Sequence, residues 1–342
     1  MTELPQPFEA ALRDAGLLAQ DEAVTAEPIT GGVSSDIWKV TTRTRTLCIK
    51  SALARLRVEG DWRVPVSRSA SEAGWFQVAA GIIPGSVPKI LAFDEARGII
   101  MMEYLSPDEW PVWKARLLAG VIDTGSARGA AVAIGKLHAA TAGDPAIAAR
   151  FSDTDTFRQV RLDPYLRTTA KSHPDLADRL ETLCESLLEN AKCLIHGDFS
   201  PKNILVRANQ VVILDAECAV YGDPAFDVAF CINHLILKSI LMPDCAPDLT
   251  AMVEIFFDQY LSLMAWEPAA DLEDRVMRLL PALMLARIDG LSPVEYLDDD
   301  AQKSFVRDVS IHALITPPQS LSGFLEHLLQ AVDFHLKPKV KR

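Results

Sequence analysis

Ala191–Leu205 reads AKCLIHGDFSPKNIL, and Val211–Glu217, VVILDAE, follows closely. In the first stretch His196, Asp198 and Asn203 stand in the order H-x-D-x-x-x-x-N. Asp215 ends the apolar run of the second, Val211-Val212-Ile213-Leu214, which has the look of a buried strand. Phosphoryl transfer asks for one carboxylate near the acceptor hydroxyl and for two oxygen ligands that hold Mg²⁺ against nucleotide phosphates. Asp198 suits the first role, and Asn203 and Asp215 suit the other two. The competing reading is a hairpin whose Asp and Asn serve only as turn formers. Apolar strand residues on both sides, and a strand ending in Asp-x-Glu, favour the catalytic reading.

The spacing is that of a kinase catalytic loop, with Gly197 where protein kinases usually carry Arg. The segment resembles the catalytic motif of the aminoglycoside phosphotransferase and choline kinase-like superfamily, and GDPAFD (Gly222–Asp227) is similar to that family's usual continuation. The resemblance implies an α+β, bilobal protein-kinase-like fold. A small N-lobe with a five-stranded antiparallel sheet (1–104) would bind ATP, and a larger, mostly helical C-lobe (105–342) would carry the catalytic loop and the acceptor site. The implied cofactors are ATP and Mg²⁺.

Upstream, FEAALRDAGLL (Phe8–Leu18) has apolar residues at helical spacing. Three short runs rich in β-branched residues follow, Ala26–Thr30, Ile37–Val40 and Thr46–Ile49, and Val87–Phe93 and Gly98–Glu103 add two more strands. Between the first two runs sits Gly31-Gly32-Val33-Ser34-Ser35. Gly32, Ser34 and Ser35 can lay backbone N–H groups and hydroxyls against phosphates, although a plain hairpin turn has the same composition. Lys50 closes the third strand. Such a Lys either snorkels to water or, in a kinase lobe, contacts the α/β-phosphates and pairs with a helix Glu. Glu72, in a predicted helix Ser69–Ala80, is the first candidate partner, and Glu59 is the second. The intervening stretch, with Arg57, Val58, Gly60 and Trp62, the last one residue early, looks like the R-V-x-G-x-x-W segment of 5-methylthioribose kinases, while FSPKN in the catalytic loop has the general phosphotransferase form. By resemblance Met102–Leu105 is the hinge, with the Glu103 C=O and the Leu105 N–H holding adenine.

Beyond the hinge the pattern turns helical: Ala127–Gly143, Thr156–Pro164, Pro174–Leu188 and most of Leu249–Leu336. His138 reads as structural. His196 is expected to hold the loop by packing and hydrogen bonds. Lys202 is open between a γ-phosphate contact and solvent, and Glu217 is a candidate outer ligand of the metal. By resemblance Asp227 opens a helix and braces the catalytic-loop backbone, while Asp223 caps the turn. EYLDDD (Glu295–Asp300) is either solvated surface or an acidic substrate mouth.

The 342 residues carry a net charge of −12, with 11 basic and 12 acidic residues through Met102 and 23 and 34 beyond it. Acidity concentrated in the second part argues against a nucleic-acid partner. It suits a cationic substrate steered to that lobe, or simply solubility. No uninterrupted apolar run approaches the roughly 18–20 residues of a membrane span, so no membrane role is expected. The acidic start lacks a basic n-region, and six scattered cysteines form no CxxC; both point to the cytoplasm. The expected acceptor is a small molecule with a hydroxyl, cationic or sugar-like. A nucleotide-binding regulator without catalysis is the alternative from another class. An activation segment of the protein-kinase kind has no room between Asp215 and GDPAFD.

Overall fold

The computed structural model describes residues 3–30, 34–55, 57 and 64–337. After helix α1 (Gln6–Asp14) come strands β1 (Thr25–Pro28), β2 (Ser35–Thr41) and β3 (Thr46–Ala52), then helix α2 (Arg68–Ile82), then β4 (Ile90–Asp94) and β5 (Ile99–Glu103). They build one antiparallel sheet in the order β1-β2-β3-β5-β4. Strand alternation divides its two faces. Leu47, Ile49, Ile99 and Met101 pack toward Phe8, Ala11 and Leu12 of α1. Ile100 and Met102 pack toward Ala73 of α2 on the opposite face. The same alternation puts Lys50 on the α2 side, which is why a strand and a helix 22 residues apart can share an ion pair.

Element limits moved for local reasons. The first helix ends at Asp14 rather than Leu18, and the chain leaves it through Gly16 at φ +67°, a conformation open to glycine. The fourth strand begins at Ile90, past Pro88, which has no N–H to give a ladder.

The remainder is mainly helical: α3 (Trp113–Leu118), α4 (Thr124–Thr141), α5 (Pro145–Arg150), α6 (Asp155–Phe157), a π-helical stretch Arg158–Arg167, α7 (Thr168–Ser172), a 3₁₀ turn Pro174–Leu176 and α8 (Ala177–Glu189). The predicted helix Thr156–Pro164 is therefore a wide-turned segment that runs on through Pro164. Strand β6 (Cys193–Ile195), the hairpin β7 (Ile204–Arg207) and β8 (Gln210–Ile213), and β9 (Val220–Gly222) frame the catalytic-loop sequence. Helices α9 (Pro224–Leu241), α10 (Ala246–Leu261), α11 (Ala269–Asp289), α12 (Asp300–Ile315) and α13 (Leu321–His335) complete the lobe. By length and composition α9 is apolar enough to cross a membrane, but 94% of it is buried inside the protein. A helix buried on all sides is here the core of the helical lobe.

Candidate active site

The catalytic-loop sequence sits between β6 and the hairpin because both ends are paired. Cys193–Ile195 pairs with Val220–Gly222, and Ile204 pairs with Ile213. One step beyond that register Leu214 N donates to the Asn203 carbonyl at 2.8 Å. Hairpin register thus brings the side chains of Asn203 and Asp215 to the same end. Asp215 has φ +67°, a left-handed conformation that costs a non-glycine residue energy and is held only where the surroundings enforce it.

Asp198 is 2% exposed, and its two oxygens have different surroundings. Oδ2 accepts from Asn203 Nδ2 at 2.9 Å and is ion-paired with Arg161 at 2.8 Å and Lys202 at 3.0 Å. Oδ1 is buried and accepts from no described group. Burial works against its charge, but Arg161 and Lys202 outweigh that and hold its pKa below the usual carboxylate value. Lys202 therefore lies on the Asp198 carboxylate while about half exposed.

The backbone of the loop is fixed from below. Asp227, at 0% exposure, accepts from His196 N at 2.6 Å and from Gly197 N at 2.9 Å. Its Oδ2 also lies 3.3 Å from His138 Nε2. His196 accepts from Asp198 N at Nδ1 and donates from Nε2 to the Leu214 carbonyl. Its ring stands edge-on to Trp75 at 5.1 Å, and burial keeps it neutral by lowering its pKa. Asp223 caps α9 through Ala225 N and pairs with Arg275 at 2.9 Å. Gly197 has φ +73°, and a Cβ there would meet the Cys218 carbonyl at 2.4 Å. Arginine does not fit at this position.

Across the cleft Lys50 donates to Glu72 at 2.8 Å and to Asp215. Burial would lower the Lys50 pKa, but Asp215 and Glu72 together raise it. Asp215 is lowered, Lys50 outweighing its burial. Glu72 is pushed up to about 7, because burial outweighs its share of the one ammonium. Ser34 and Ser35 sit where β2 begins, and the Ser35 hydroxyl is buried with no partner among the described residues. Glu103 and Leu105 lie where β5 leaves the sheet. Gly32 and Glu59, with Val58, Gly60 and Trp62, lie outside the described residues. Arg57 pairs with Asp36 at 2.9 Å.

Two arginines of this site carry no short-range signal. Arg161, from the π-helical stretch, reaches the Gly197 carbonyl at 2.6 Å as well as Asp198. Arg68 is 1% exposed. It binds Glu217 at 2.9 Å and the carbonyls of Ser34 and Leu53 at 2.6 Å each, so it joins α2 and two strand ends to the segment after Asp215. Glu217, a candidate outer metal ligand, spends Oε2 on that arginine. Glu295 pairs with Lys114, and Asp299 caps α12, so EYLDDD is largely cap and surface.

The family model of the phosphotransferase enzyme family matches residues 25–272. Methylthioribose kinase 1 of Oryza sativa subsp. japonica is 27% identical over 244 residues, covering 63% of this chain and 56% of that protein. The chain thus spans little more than half the length of this curated relative. Among solved structures, the streptomycin–ATP–APH(2″)-IIa ternary complex is similar with a TM-score of 0.51 at 15% identity, over 94% of this chain and 99% of the other. A choline/ethanolamine kinase family protein from Mesorhizobium loti is similar with a TM-score of 0.50 at 18% identity, over 95% and 99%. At such identities the likeness is one of fold, and the fold is the bilobal, protein-kinase-like one.

Proposed function

The chain belongs to the phosphotransferase enzyme family, and from that premise we propose that it transfers the γ-phosphoryl group of ATP to a hydroxyl of a small molecule. The lobe boundary then falls at the hinge near Tyr104. One observation carries the reading: a buried carboxylate, Asp198, whose Oδ2 is saturated by three donors while Oδ1 is left without one. Oδ1 is the atom that takes the acceptor hydroxyl. Its depressed basicity suits a reaction in which orientation and charge neutralisation do most of the work and little proton abstraction is needed early.

The donor set also fits magnesium. Asp215 is an ionised carboxylate. Asn203 spends its amide nitrogen on Asp198, which leaves its oxygen for a hard cation. Mg²⁺ held by these two residues would neutralise charge on the transferred group. Lys50, fixed by Glu72, would hold the α/β-phosphates, with Ser34, Ser35 and Gly32 along them and the Glu103–Leu105 backbone at adenine. Positions Lys50, Asp198, Asn203 and Asp215 all hold competent residues, which counts against a regulator without catalysis. All six cysteines are free thiols, in keeping with a cytoplasmic protein.

The likeness to methylthioribose kinases favours, as a second reading within this class, a sugar-like acceptor. A coupled ADP-release assay with MgATP against sugars, amines and hydroxy acids tests both. Turnover is expected with one acceptor class. Asp198→Asn is expected to lower kcat by about 10²–10⁴-fold with the MgATP Kd unchanged by calorimetry. Unaltered turnover in a folded Asp198→Asn protein would overturn the assignment.

A further inference from the structure

Beside Asp198 lies a row of buried cations that the phosphate chemistry does not use. Tyr165, on the π-helical stretch, has the Arg161 guanidinium 5.9 Å from its ring centre and the Arg287 guanidinium at 5.4 Å. Arg287, on α11, donates to the Tyr165 hydroxyl at 3.0 Å and to Ser292. It is 8% exposed, and its buried Nε has no partner among the described residues. On α9, Phe230 faces Arg161, His234 follows one turn later, and Lys238 follows one turn after that. Lys238 is 0% exposed; it donates to the His234 carbonyl at 3.1 Å and lies 4.7 Å over the Tyr296 ring. At the solvent edge Lys114 also faces Tyr296.

Among the described residues neither Arg287 nor Lys238 has a carboxylate at ion-pair distance. Buried charges are ordinarily paired, since an unpaired one is expensive. The strain registers on the groups themselves. Burial and then the Lys114 charge bring Lys238 down to about 7. Burial, then Arg287 and Lys238, press His234 well below its usual value. Glu295 acts on both Lys238 and Arg287 but is ion-paired with Lys114, so the cluster holds more cations than carboxylates. An amine placed here would add a further like charge.

We propose that the phosphoryl acceptor carries an anionic group, a carboxylate or a phosphate ester, that Arg287 and Lys238 bind while its hydroxyl meets Asp198 Oδ1. The inference rests on the kinase reading of the cleft and names its substrate class. Geometry grades the two cations. Arg287 shares Tyr165 with Arg161 and is the near contact. Lys238 stands eleven residues beyond Asp227 on the same helix, about 16 Å at the α-helical rise, and is the far one.

The test measures melting and turnover of the whole chain with gluconate, glycerol 3-phosphate, glycerol and ethanolamine, each with MgATP. An anionic probe is expected to raise the melting temperature where glycerol and ethanolamine do not, and to exceed both in kcat/KM. Gluconate against glycerol 3-phosphate separates carboxylate from phosphate. Arg287→Gln is expected to raise KM for the anionic probe roughly ten- to a hundredfold, the loss of one charge-assisted contact. Arg287→Lys should recover part of it, and Lys238→Met should likewise raise KM for the anionic probe. Binding of MgATP with no response to either anion, or a preference for glycerol or ethanolamine, overturns the anionic acceptor and leaves the kinase reading standing. Failure to bind MgATP overturns the kinase reading itself. A merely structural Arg287 would change melting in Arg287→Gln and leave acceptor KM alone, which also overturns the proposal.

Discussion

At the scale of single residues, the site is decided by what surrounds one carboxylate. Asp198 is steered by three donors on one oxygen, and the loop that presents it turns on Gly197. Substituting Ala there must both enter the left-handed region, at about 1–2 kcal/mol, and push away the Cys218 carbonyl. Gly197→Ala is expected to lower stability by more than the conformational cost alone and to lower kcat with it, because the carboxylate is displaced. Chemical denaturation and steady-state kinetics check both; an unchanged midpoint with unchanged kcat would sink the account. That Asp198, Asn203 and Asp215 come together was legible in the sequence, because one short loop and the hairpin that follows it set their places. Arg161 was not, since its place depends on a π-helical turn that shifts every later side chain relative to α-helical spacing, and helical periodicity around Pro164 gives no sign of it.

Between elements, β3, α2 and the segment that follows β8 share one ammonium among two carboxylates. Lys50 sits on the α2 face of the sheet by strand alternation, and Glu72 meets it from the first turns of α2. Strand alternation and the helix were readable, and so was this pair; the exact reach of Asp215 to the same lysine was not, because it needs the two lobes assembled. Glu72, pushed up to about 7, is the member that takes a proton first. As pH falls through 7 the Lys50–Glu72 pair weakens, and KM for MgATP is expected to rise; Glu72→Gln should have a high KM that no longer changes there. For stability the sign is the reverse. The folded chain holds this proton more tightly than the unfolded one, so the contribution is present below about 4.5 and is lost as pH rises through 7. Melts from pH 5 to 8 should therefore slope downward in the parent relative to Glu72→Gln, and parallel curves would refute the shift.

For the whole molecule, charge summed along the sequence says little about where charge acts. The second part is strongly acidic, which suits a cationic acceptor or simply solubility, yet groups paired with Asp198 and near it are arginines and a lysine. Carboxylates counted in the sequence are largely spent on surface pairs and helix caps such as Asp299. The relation of the lobes was equally hidden, because it runs through Arg68, a residue that in sequence merely precedes a helix. Its guanidinium spans Ser34, Leu53 and Glu217, so it ties two strand ends and α2 to the segment after Asp215. Removing one partner leaves the other charge buried and alone, at a cost of about 3–5 kcal/mol. Removing both should cost less than the sum of the two single changes, since Glu217 is then no longer an unpaired ion. A double-mutant cycle with Arg68→Met and Glu217→Gln, read by denaturant unfolding, is expected to give a coupling of at least 1 kcal/mol or so. Arg68→Met should also weaken MgATP binding, because Ser34 loses its tether. Additive losses with unchanged nucleotide affinity would mean that the lobes are held by packing alone and that Arg68 is a passenger of its helix.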